Sequence, residues 1–402
     1  MKDMNFFQRG ISRTLLLILV IILAFGTGLF TEDIIQKYYQ RVGASSGLDF
    51  SLLEEVFQKI EAGFVAPEKL DKTKLIYGAA SGMVESLNDP YTVFFDPEET
   101  EKFEEDISGF FEGVGIQIGI KEEQLQVIAP LEGTPSQKAG VRAGDKILKV
   151  DGASIAGMPI EEVISLIRGP KNTTVTLTIS RQDWEEPKDL KIIRDTIKVP
   201  TLKWELKETQ DGKKVAYFTL FYFSDIIYKD FKEAVYEILN SGAEGIILDL
   251  RNNPGGVLSQ VEEIAGWFLK EGDVILTEQI RGHEQKHKSK GPSKFVSYPL
   301  VVLINQGSAS ASEILVASLR DNRQVPIIGE TSFGKGCVQR LIDLKDGSSI
   351  KMTTSKWFTP SGEGIEGKGL KPDIEVNLTP EDYQKGSDPQ LEQAMEIITS
   401  KL

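Results

Sequence analysis

The sequence has 402 residues, of which 40% are hydrophobic, so it can bury a sizeable core, and its length predicts two or three domains. The formal net charge of −14 disfavours non-specific binding to nucleic acid, because phosphates would be repelled. The single cysteine, Cys337, excludes an intrachain disulfide and a cysteine-based metal cluster. We therefore expect no nucleic-acid partner and no cofactor.

The start of the chain has the pattern of an export signal. Three basic residues precede an uncharged apolar run over residues 15–30, and two acidic residues follow it. Positive charge before the run and acid after it predict a cytoplasmic n-region over residues 1–13 and a single-pass signal anchor over residues 14–31, with the rest of the chain outside the cytoplasm. The run is shorter than a typical spanning helix of about 20 residues, so a cleaved signal peptide and a secreted protein are the alternative.

Residues 32–107 have apolar side chains at helical spacing, as in FSLLEEVFQKIEAGF and KLIYGAASGMVESL, which predicts a helical N-terminal region. Asp89 and Pro90 interrupt the pattern. The stretch DPEETEKFEED then predicts an acidic helix with Asp96 as its N-cap. A solvated helix face explains the acidic residues, and a docking surface is the alternative.

Residues 108–190 change to short strands and turns with one helix. GVGIQIGI alternates glycine with branched apolar residues, VRAGDKILKVDG predicts a strand between two turns, and VTLTISR is an alternating strand. MPIEEVISLIRG predicts one amphipathic helix. This region is therefore expected to be a small β-rich module.

From residue 191 to 378, strands alternate with helices. The apolar strands VAYFTL, GIILDL and PLVVLIN are separated by helical patterns, which predicts a mostly parallel sheet with both faces covered. A polar C-terminal segment with a short helix follows over residues 379–402. The whole chain is expected to be a multidomain α+β protein.

Both histidines lie in the stretch HEQKH, from His283 to His287, which matches the H-E-x-x-H pattern of zinc proteases. Such a zinc site needs a helix with an apolar face and a third protein ligand. Glycines, a proline and several lysines flank the stretch instead. The sequence therefore predicts an exposed basic loop between two strands and no metal site.

Ser310 follows the apolar strand PLVVLIN, at the start of a predicted helix whose free backbone N–H groups can stabilise an oxyanion. The alternative is that Ser310 and Glu313 form an ordinary capping box. The strand GIILDL ends in RNNPGG, so Gly256 and Ala311 could donate two N–H groups at the carboxyl ends of the strands. A tight turn is the alternative for these glycines.

A serine nucleophile needs a base, and the histidines do not supply one. The candidate is Lys335, between two glycines in GETSFGKGCVQR. A free lysine has a pKa of about 10.4, so only burial would leave this amine neutral at pH 7. Gln339 could hold the amine, but four residues of strand span about 13 Å, so contact requires a bend near Gly334–Gly336.

At these motifs the sequence resembles the carboxyl-terminal processing peptidases, or tail-specific proteases, which are serine proteases with a Ser–Lys dyad and a PDZ domain. The resemblance covers roughly residues 35–380 and rests on LNDPYTVFFDPEE, GVGIQI, IRGPKNT, LDLRNNPGG, SASASEI, RDN, GETSFGKGCVQ and KWFTPSGEGIEGKGLKPDIEV. It implies a helical N-terminal region, a PDZ domain over residues 108–190 and an α/β protease core of the ClpP/crotonase-like type over residues 191–378.

The resemblance also implies roles for particular residues. In the active site these are Ser310 as nucleophile, Lys335 as base, Gln339 as the residue that orients the base, and Gly256 and Ala311 as the oxyanion hole. Asp321, in RDN, matches an aspartate that supports activity. Cys337 stands where the family more often has threonine or another small residue, and we expect a small buried side chain there.

PDZ domains bind peptide C-termini by strand addition, with the terminal carboxylate held by a glycine loop. The resemblance places that loop at Gly113, Val114, Gly115 and Ile116, with the peptide between GIQI and the helix that ends at Arg168. Arg168 is either a simple cation at a helix C-terminus or a link between peptide occupancy and the protease site.

The expected function is that of a membrane-anchored, extracytoplasmic serine endopeptidase for protein or peptide substrates with apolar C-termini. Helical terminal segments around such cores often mediate dimers, so a homodimer is an option. One alternative is a catalytically inactive PDZ scaffold that only binds tails, which the intact Ser310, Lys335 and Gln339 disfavour. The other is an acyl-CoA enzyme of crotonase type, which the PDZ module and the export signal disfavour.

Overall fold

The computed structural model describes residues 49–121, 124–131, 133–158, 160–181 and 183–402. The expected n-region, residues 1–13, and the expected anchor, residues 14–31, lie outside these residues. Within the described part of the chain, every helix is too short or too polar to span a lipid bilayer.

The chain divides into a small unit that ends at Ile76 and a large unit from Tyr77 to Leu402. In the described part of the small unit, α1 (Ser51–Gly63) and a 3-10 turn precede the start of α2 (Lys72–Glu85). The helical character predicted for this region is confirmed for the residues described. Several large apolar side chains of α1 are exposed, including Leu52 and Val56.

The large unit begins with the end of α2, a short strand and an acidic helix, β1 (Val93–Phe95) and α3 (Pro97–Ser108). Asp96 caps α3 as predicted, since its side chain accepts from the Glu99 N–H at 2.9 Å. The Glu99 carboxylate in turn accepts from the Asp96 N–H at 3.0 Å. This reciprocal capping box fixes the start of α3.

The β-rich module has antiparallel strands and one long helix. Its elements are β2 (Phe110–Gly113), β3 (Ile116–Lys121), β4 (Gln124–Pro130), α4 (Pro135–Lys138), β5 (Lys146–Val150), β6 (Ala153–Ser154), α5 (Ile160–Ile167), β7 (Thr174–Ser180), β8 (Lys188–Ile193) and β9 (Asp195–Lys198). Its sheet has the order β3-β4-β5-β7-β8, with β6 paired to β5, and β9 pairs with β2. Asp151 and Gly152 form the predicted turn after β5, with φ of 49° and 81°. The strands continue beyond residue 190, because β8 ends at Ile193.

The remaining elements form the α/β core. They are β10 (Leu202–Glu208), β11 (Lys214–Leu220), α6 (Ile227–Asn240), β12 (Gly245–Asp249), α7 (Leu258–Phe268), β13 (Val274–Ile280), β14 (His283–Lys288), β15 (Leu300–Ile304), α8 (Ala311–Arg323), β16 (Ile327–Gly329), β17 (Cys337–Asp343), β18 (Ser349–Phe358), β19 (Ile374–Glu375), α9 (Pro380–Lys385) and α10 (Pro389–Lys401). The main sheet has the order β10-β11-β12-β15-β16-β19 and is parallel except for the β10–β11 pair. The predicted mostly parallel sheet is thus confirmed.

Both faces of the main sheet are buried. On one face, side chains of α6, α7 and α8 pack against β11, β12 and β15 in the largest apolar cluster. On the other face, Ala394 and Ile398 of α10 pack against Ile247 and Val301. The C-terminal segment is therefore an integral part of the core, although its sequence predicts only a polar tail with a short helix.

A second sheet, which the sequence did not predict, has the order β1-β18-β13-β14, with β17 also paired to β18. The stretch HEQKH lies on its strand β14, so the prediction of a loop is wrong, although four of its five residues are exposed as predicted. His283 and His287 are about 13 Å apart on a strand, too far for both imidazoles to bind one zinc ion. His287 instead lies 2.5 Å from a Glu262 oxygen through Nδ1 and 2.9 Å from a Glu278 oxygen through Nε2.

Candidate active site

Ser310 occupies the turn between β15 and α8. Its φ of 52° and ψ of −114° lie in a region that residues with a side chain rarely adopt, so the turn is strained. A sharp turn of this kind between a strand and a helix is the geometry of a nucleophile elbow, which exposes the serine hydroxyl. The first turns of α8 behind it are buried, which makes the support rigid.

The loop RNNPGG is hydrogen-bonded to the Ser310 turn. The carbonyl oxygen of Asn253 accepts from the Ala309 N–H at 3.0 Å and from the Ser312 hydroxyl at 2.9 Å. Gly255 has a φ of 99°, and a Cβ at this position would come within 2.9 Å of the Ser310 Cβ. Glycine is therefore required for the loop to approach the nucleophile so closely.

Gly256 is fixed by an equally tight contact. A Cβ on this residue would lie 2.3 Å from the carbonyl oxygen of Phe223, and that oxygen accepts from the Val257 N–H at 2.7 Å. Within the described residues, the N–H groups of Gly256 and Ala311 take part in no hydrogen bond of the protein. Both donors are therefore available to a ligand beside Ser310.

Glu313 joins the two candidate catalytic loops. Its fully buried carboxylate accepts from the Ser310 N–H at 2.8 Å and the Lys335 N–H at 2.9 Å through Oε2. Its Oε1 accepts from the Gly334 N–H at 2.7 Å and the Ser332 hydroxyl at 2.5 Å. In the sequence, only the capping-box spacing pointed to Glu313, and a capping box accounts for one of its four donors.

Lys335 lies in the loop before β17. The indole of Trp357 donates to its carbonyl oxygen at 2.9 Å, and its Nζ lies 5.0 Å from the centroid of the Tyr91 ring. Burial lowers the pKa of Lys335, although a neighbouring thiol and carboxylates act in the opposite direction. A lowered pKa is what a lysine base requires. Tyr91 was not among the residues that the sequence singled out for the site.

Cys337 and Gln339 follow Lys335 by two and four residues, in strand β17. The Gln339 amide donates to Cys337 Sγ at 3.1 Å and to Thr353 Oγ1 at 3.4 Å, and among the described residues it makes no hydrogen bond to Lys335. Burial raises the pKa of the Cys337 thiol to about 11, so the thiol stays neutral. A register shift between Val338 and Gln339 bends this strand.

The candidate catalytic residues line one cavity of about 430 Å³, here called the Ser310 cavity. Its lining includes five residues that the sequence pointed to, Ser310, Lys335, Gln339, Gly256 and Ala311. Most of the remaining wall is apolar and includes Phe103, Ile107, Val257, Leu258, Ile314, Val338 and Leu341. The fold thus brings together loops that are far apart in the sequence.

Asp321 lies away from this cavity, about three turns further along α8. Its carboxylate accepts from Arg320 Nε at 2.8 Å and from the Ser361 N–H at 3.0 Å. Burial alone would raise the pKa of Asp321, but these hydrogen bonds hold it below its ordinary value. Asp321 therefore anchors the turn after β18 and does not reach the nucleophile.

A second cavity of about 470 Å³ lies between β3 and α5 and is here called the peptide groove. Val114, Gly115, Ile116 and Arg168 line it, as the resemblance implies. Gly113 precedes these residues at the end of β2 and does not line the groove. The wall is largely apolar and also includes Val199 and Pro200, from the chain that leads into the core, and Phe221, which directly follows β11.

Arg168 connects the peptide groove to α3. Its guanidinium nitrogens lie 3.5 Å from Glu105 Oε2 and 3.5 Å from Asp106 Oδ1, and the group lies 4.7 Å from the centroid of the Phe111 ring. Another side chain of α3, Phe103, lines the Ser310 cavity. Part of the acidic run therefore docks against Arg168, where a purely solvated face was expected.

Comparison with known proteins identifies the family. The family model of Peptidase family S41 matches residues 214–376, that of the PDZ domain residues 126–181, and that of the activating protease CtpB N-terminal domain residues 31–100. The carboxy-terminal processing protease CtpA of Bacillus subtilis (strain 168) is 38% identical over 346 residues, which cover 86% of this chain and 72% of that protein. The chain belongs to the carboxy-terminal processing protease family.

Other relatives agree with this family. The carboxy-terminal processing protease CtpB of Bacillus subtilis (strain 168) is 34% identical over 345 residues, covering 86% of this chain and 71% of that protein. The structure of the photosystem II D1 C-terminal processing protease superposes with a TM-score of 0.51 at 28% identity, covering 82% of this chain and 87% of that one. The chain is therefore a serine-type peptidase with a PDZ domain, which confirms the resemblance and sets aside the acyl-CoA enzyme.

Proposed function

We propose that the protein is an extracytoplasmic endopeptidase that recognises C-terminal tails through its PDZ domain and cleaves substrates with a Ser310–Lys335 dyad. The observation that carries the proposal is that Ser310, Lys335, Gly256 and Ala311 line one cavity, while no described group of the protein accepts from the N–H groups of Gly256 and Ala311. Membership of a protease family supports hydrolysis of peptide bonds by this constellation.

In the first half of the reaction, Lys335 acts as general base. Its neutral amine takes the proton of the Ser310 hydroxyl while Oγ attacks the substrate carbonyl carbon. The developing oxyanion accepts from the N–H groups of Gly256 and Ala311, at the positive end of the α8 dipole. The protonated Lys335 then gives its proton to the leaving amine, which leaves an acyl-enzyme on Ser310.

In the second half, water takes the place of the leaving amine. Lys335, neutral again, removes a proton from this water as it attacks the ester carbonyl, and returns the proton to Ser310 Oγ as the acyl bond breaks. Glu313 keeps the geometry constant through both halves, because one oxygen accepts from the backbone N–H groups of both Ser310 and Lys335. Such fixed positions reduce the entropy cost of each step.

Two further residues have supporting roles in this proposal. Gln339 would orient the Lys335 amine by rotating its amide from Cys337 Sγ, where it now donates, toward the amine. Asp321 would support the core by holding the turn at Ser361. The first role predicts lower activity with nearly normal stability in Gln339→Ala, and the second predicts a loss of stability in Asp321→Ala.

The PDZ domain would select substrates with apolar C-termini. A peptide added as a strand beside β3 would place its last side chain on the apolar wall of the peptide groove and its carboxylate at the N–H groups of the Gly113–Ile116 loop. Arg168 would couple peptide binding in the groove to the active site. A change in its ion pairs with Glu105 and Asp106 would shift α3, and Phe103 of α3 lines the Ser310 cavity. Unchanged turnover of a tailed substrate in Arg168→Ala would exclude this link.

The N-terminal sequence supports a membrane anchor over residues 14–31, with the catalytic region outside the cytoplasm, and secretion after cleavage as the alternative. Separating membranes from soluble material and detecting the mature N-terminus distinguish the two. The exposed apolar side chains of α1 support a homodimer. Light scattering on the purified protein would test this.

The experiment that tests the proposed function compares wild type with Ser310→Ala. We expect wild type to degrade casein and Ser310→Ala to lose cleavage while it still binds a tail peptide. Degradation that survives in Ser310→Ala, or that stops on addition of a metal chelator, contradicts the dyad. A wild-type protein that binds tails without cleaving them would favour the inactive scaffold.

A further inference from the structure

Lys351, on β18, is a second lysine in the Ser310 cavity, and the mechanism above does not use it. It lines this cavity together with Ser310 and Lys335. Backbone pairing holds it in a central strand, opposite Leu341 on one side and Val93 on the other. Its position in the cavity is therefore set by the second sheet and not by a mobile loop.

The Lys351 ammonium is held by aromatic rings and not by a carboxylate. Its Nζ lies 5.4 Å from the centroid of the Phe95 ring and 5.3 Å from that of the Phe103 ring, within cation–π range of both. In the described part of the chain, no aspartate or glutamate forms an ion pair with it. Two rings orient the charge without neutralising it.

The surroundings of Lys351 make this unpaired charge costly. The side chain is half-buried, and burial lowers the pKa of its amine, with the charge of Lys335 acting in the same direction. Asp225 also lines the cavity, but it is exposed and is not paired with Lys351. A group that supplies negative charge at this point would relieve the desolvation cost of the ammonium.

We propose that Lys351 forms an anion-binding subsite of the protease, which receives a substrate carboxylate close to the scissile bond. The carboxylate belongs either to an acidic side chain of the substrate or to a free C-terminus only a few residues beyond the bond. Phe95 and Phe103 preorganise the ammonium, and the apolar wall strengthens its attraction for the carboxylate. The subsite rests on the proposed cleavage at Ser310.

The test uses internally quenched peptides of one sequence with the full chain. In the first arm, glutamate or glutamine is placed in turn at each position near the scissile bond, in peptides with an amidated C-terminus. In the second arm, the glutamine peptide is shortened and given either a free or an amidated C-terminus. We expect kcat/KM about tenfold higher for the carboxylate form in one arm, as for a hydrogen bond to a charged group.

Variants of Lys351 show whether that preference comes from this side chain. We expect Lys351→Met to lose the preference, Lys351→Arg to keep it, and Lys351→Glu to favour lysine at the same substrate position. Lys356→Met is the matched control, because Lys356 lies on the same strand but is exposed and outside the cavity. Loss of the preference in Lys356→Met as well would overturn the subsite, since overall charge would then explain it.

The outcomes also separate the subsite from the proposed function. Efficient wild-type cleavage of all peptides, with equal kcat/KM for acidic and neutral forms in both arms, would overturn the subsite and leave the dyad standing. Failure of wild type to cleave any peptide, with Ser310→Ala no different, would overturn the dyad and the subsite together. A preference confined to one arm supports the subsite and identifies the source of the carboxylate.

Discussion

Replacing Glu313 by glutamine tests whether one buried carboxylate positions both the nucleophile and the base. The wild-type carboxylate accepts four hydrogen bonds, two on each oxygen. A glutamine keeps one accepting oxygen and turns an NH2 group toward two of the donors. One or two hydrogen bonds to a charged acceptor are then lost, because the Ser332 hydroxyl can rotate and accept from the NH2 group. Each contributes about 1.5–3 kcal/mol, so we expect the free energy of unfolding to fall by about 1.5–6 kcal/mol.

The same change is expected to reduce catalysis beyond its effect on folding. If the NH2 group faces the N–H groups of Ser310 and Lys335, both lose their acceptor; if it faces the other side, the Gly334 N–H loses its acceptor directly before Lys335. A displacement of about 1 Å can lower the rate about 100-fold, so we expect kcat to fall by at least that factor. KM should change little, because the cavity wall is untouched.

Urea unfolding and cleavage of a fluorogenic peptide, both at a temperature where the variant is folded, measure these two effects. Glu263→Gln is the control, because Glu263 is an exposed glutamate on α7 and should leave both values unchanged. A Glu313→Gln protein with the wild-type unfolding free energy and the wild-type kcat would show that the carboxylate does not position the site.

If Lys335 acts as the general base, kcat/KM should fall as the pH decreases through its lowered pKa, with a midpoint below the value of about 10.4 for free lysine. A pH–rate profile that stays flat, or normal cleavage by Lys335→Met, would contradict this role. The raised pKa of His287, caused first by its hydrogen bond to Glu262, predicts stabilisation that is fully present below about pH 6.5 and lost as the pH rises through the folded-state pKa. In urea unfolding, the difference in the free energy of unfolding between wild type and His287→Gln should therefore become smaller as the pH rises. A difference that does not change with pH would argue against the ion pair. Deleting residues 388–402 removes α10 and the Asp388 partner of Arg251. We expect the free energy of unfolding to fall by several kcal/mol, since each buried apolar side chain contributes about 1.5–3 kcal/mol. An unchanged thermal unfolding midpoint would show that α10 is dispensable.

The elements that could be predicted from the sequence carry a strong local pattern. The central strands β12 and β15 are buried along their whole length, so they are uninterrupted apolar runs. The second sheet gives no such signal, because its strand β14 is polar and mostly exposed, and its pairing of β1 with β18 joins Val93 to Lys351, which are distant in sequence. Strand order of this kind depends on contacts between distant parts of the chain, which the spacing of apolar residues cannot predict.

In the candidate site too, the residues that could be predicted are those with a local sequence pattern. Ser310 and Gly256 could be singled out because each follows an apolar strand in a turn rich in small residues. Glu313 could not, because a capping box already explains an acid three residues after a serine. Its other three donors belong to residues 332–335, which are distant in the sequence. Tyr91 reaches Lys335 because β1, which begins two residues after it, pairs with β18 in the second sheet.

The acids around Lys335 are engaged by other hydrogen-bond donors, so the amine can lose its proton although the chain carries a large negative charge. Glu313, Glu366 and Asp89 each raise the pKa of Lys335 through their charges, yet burial has the larger effect. Each acid is held by other donors, Glu313 by four groups, Glu366 by the Gly336 N–H at 2.6 Å and Asp89 by the loop that follows it. Among the described residues, none of them forms an ion pair with the amine. Because these carboxylate oxygens are already hydrogen-bonded, desolvation and not ion pairing determines the charge of Lys335. If any one of the acids were released toward the amine, the pKa of Lys335 would rise and the onset of activity would move to higher pH.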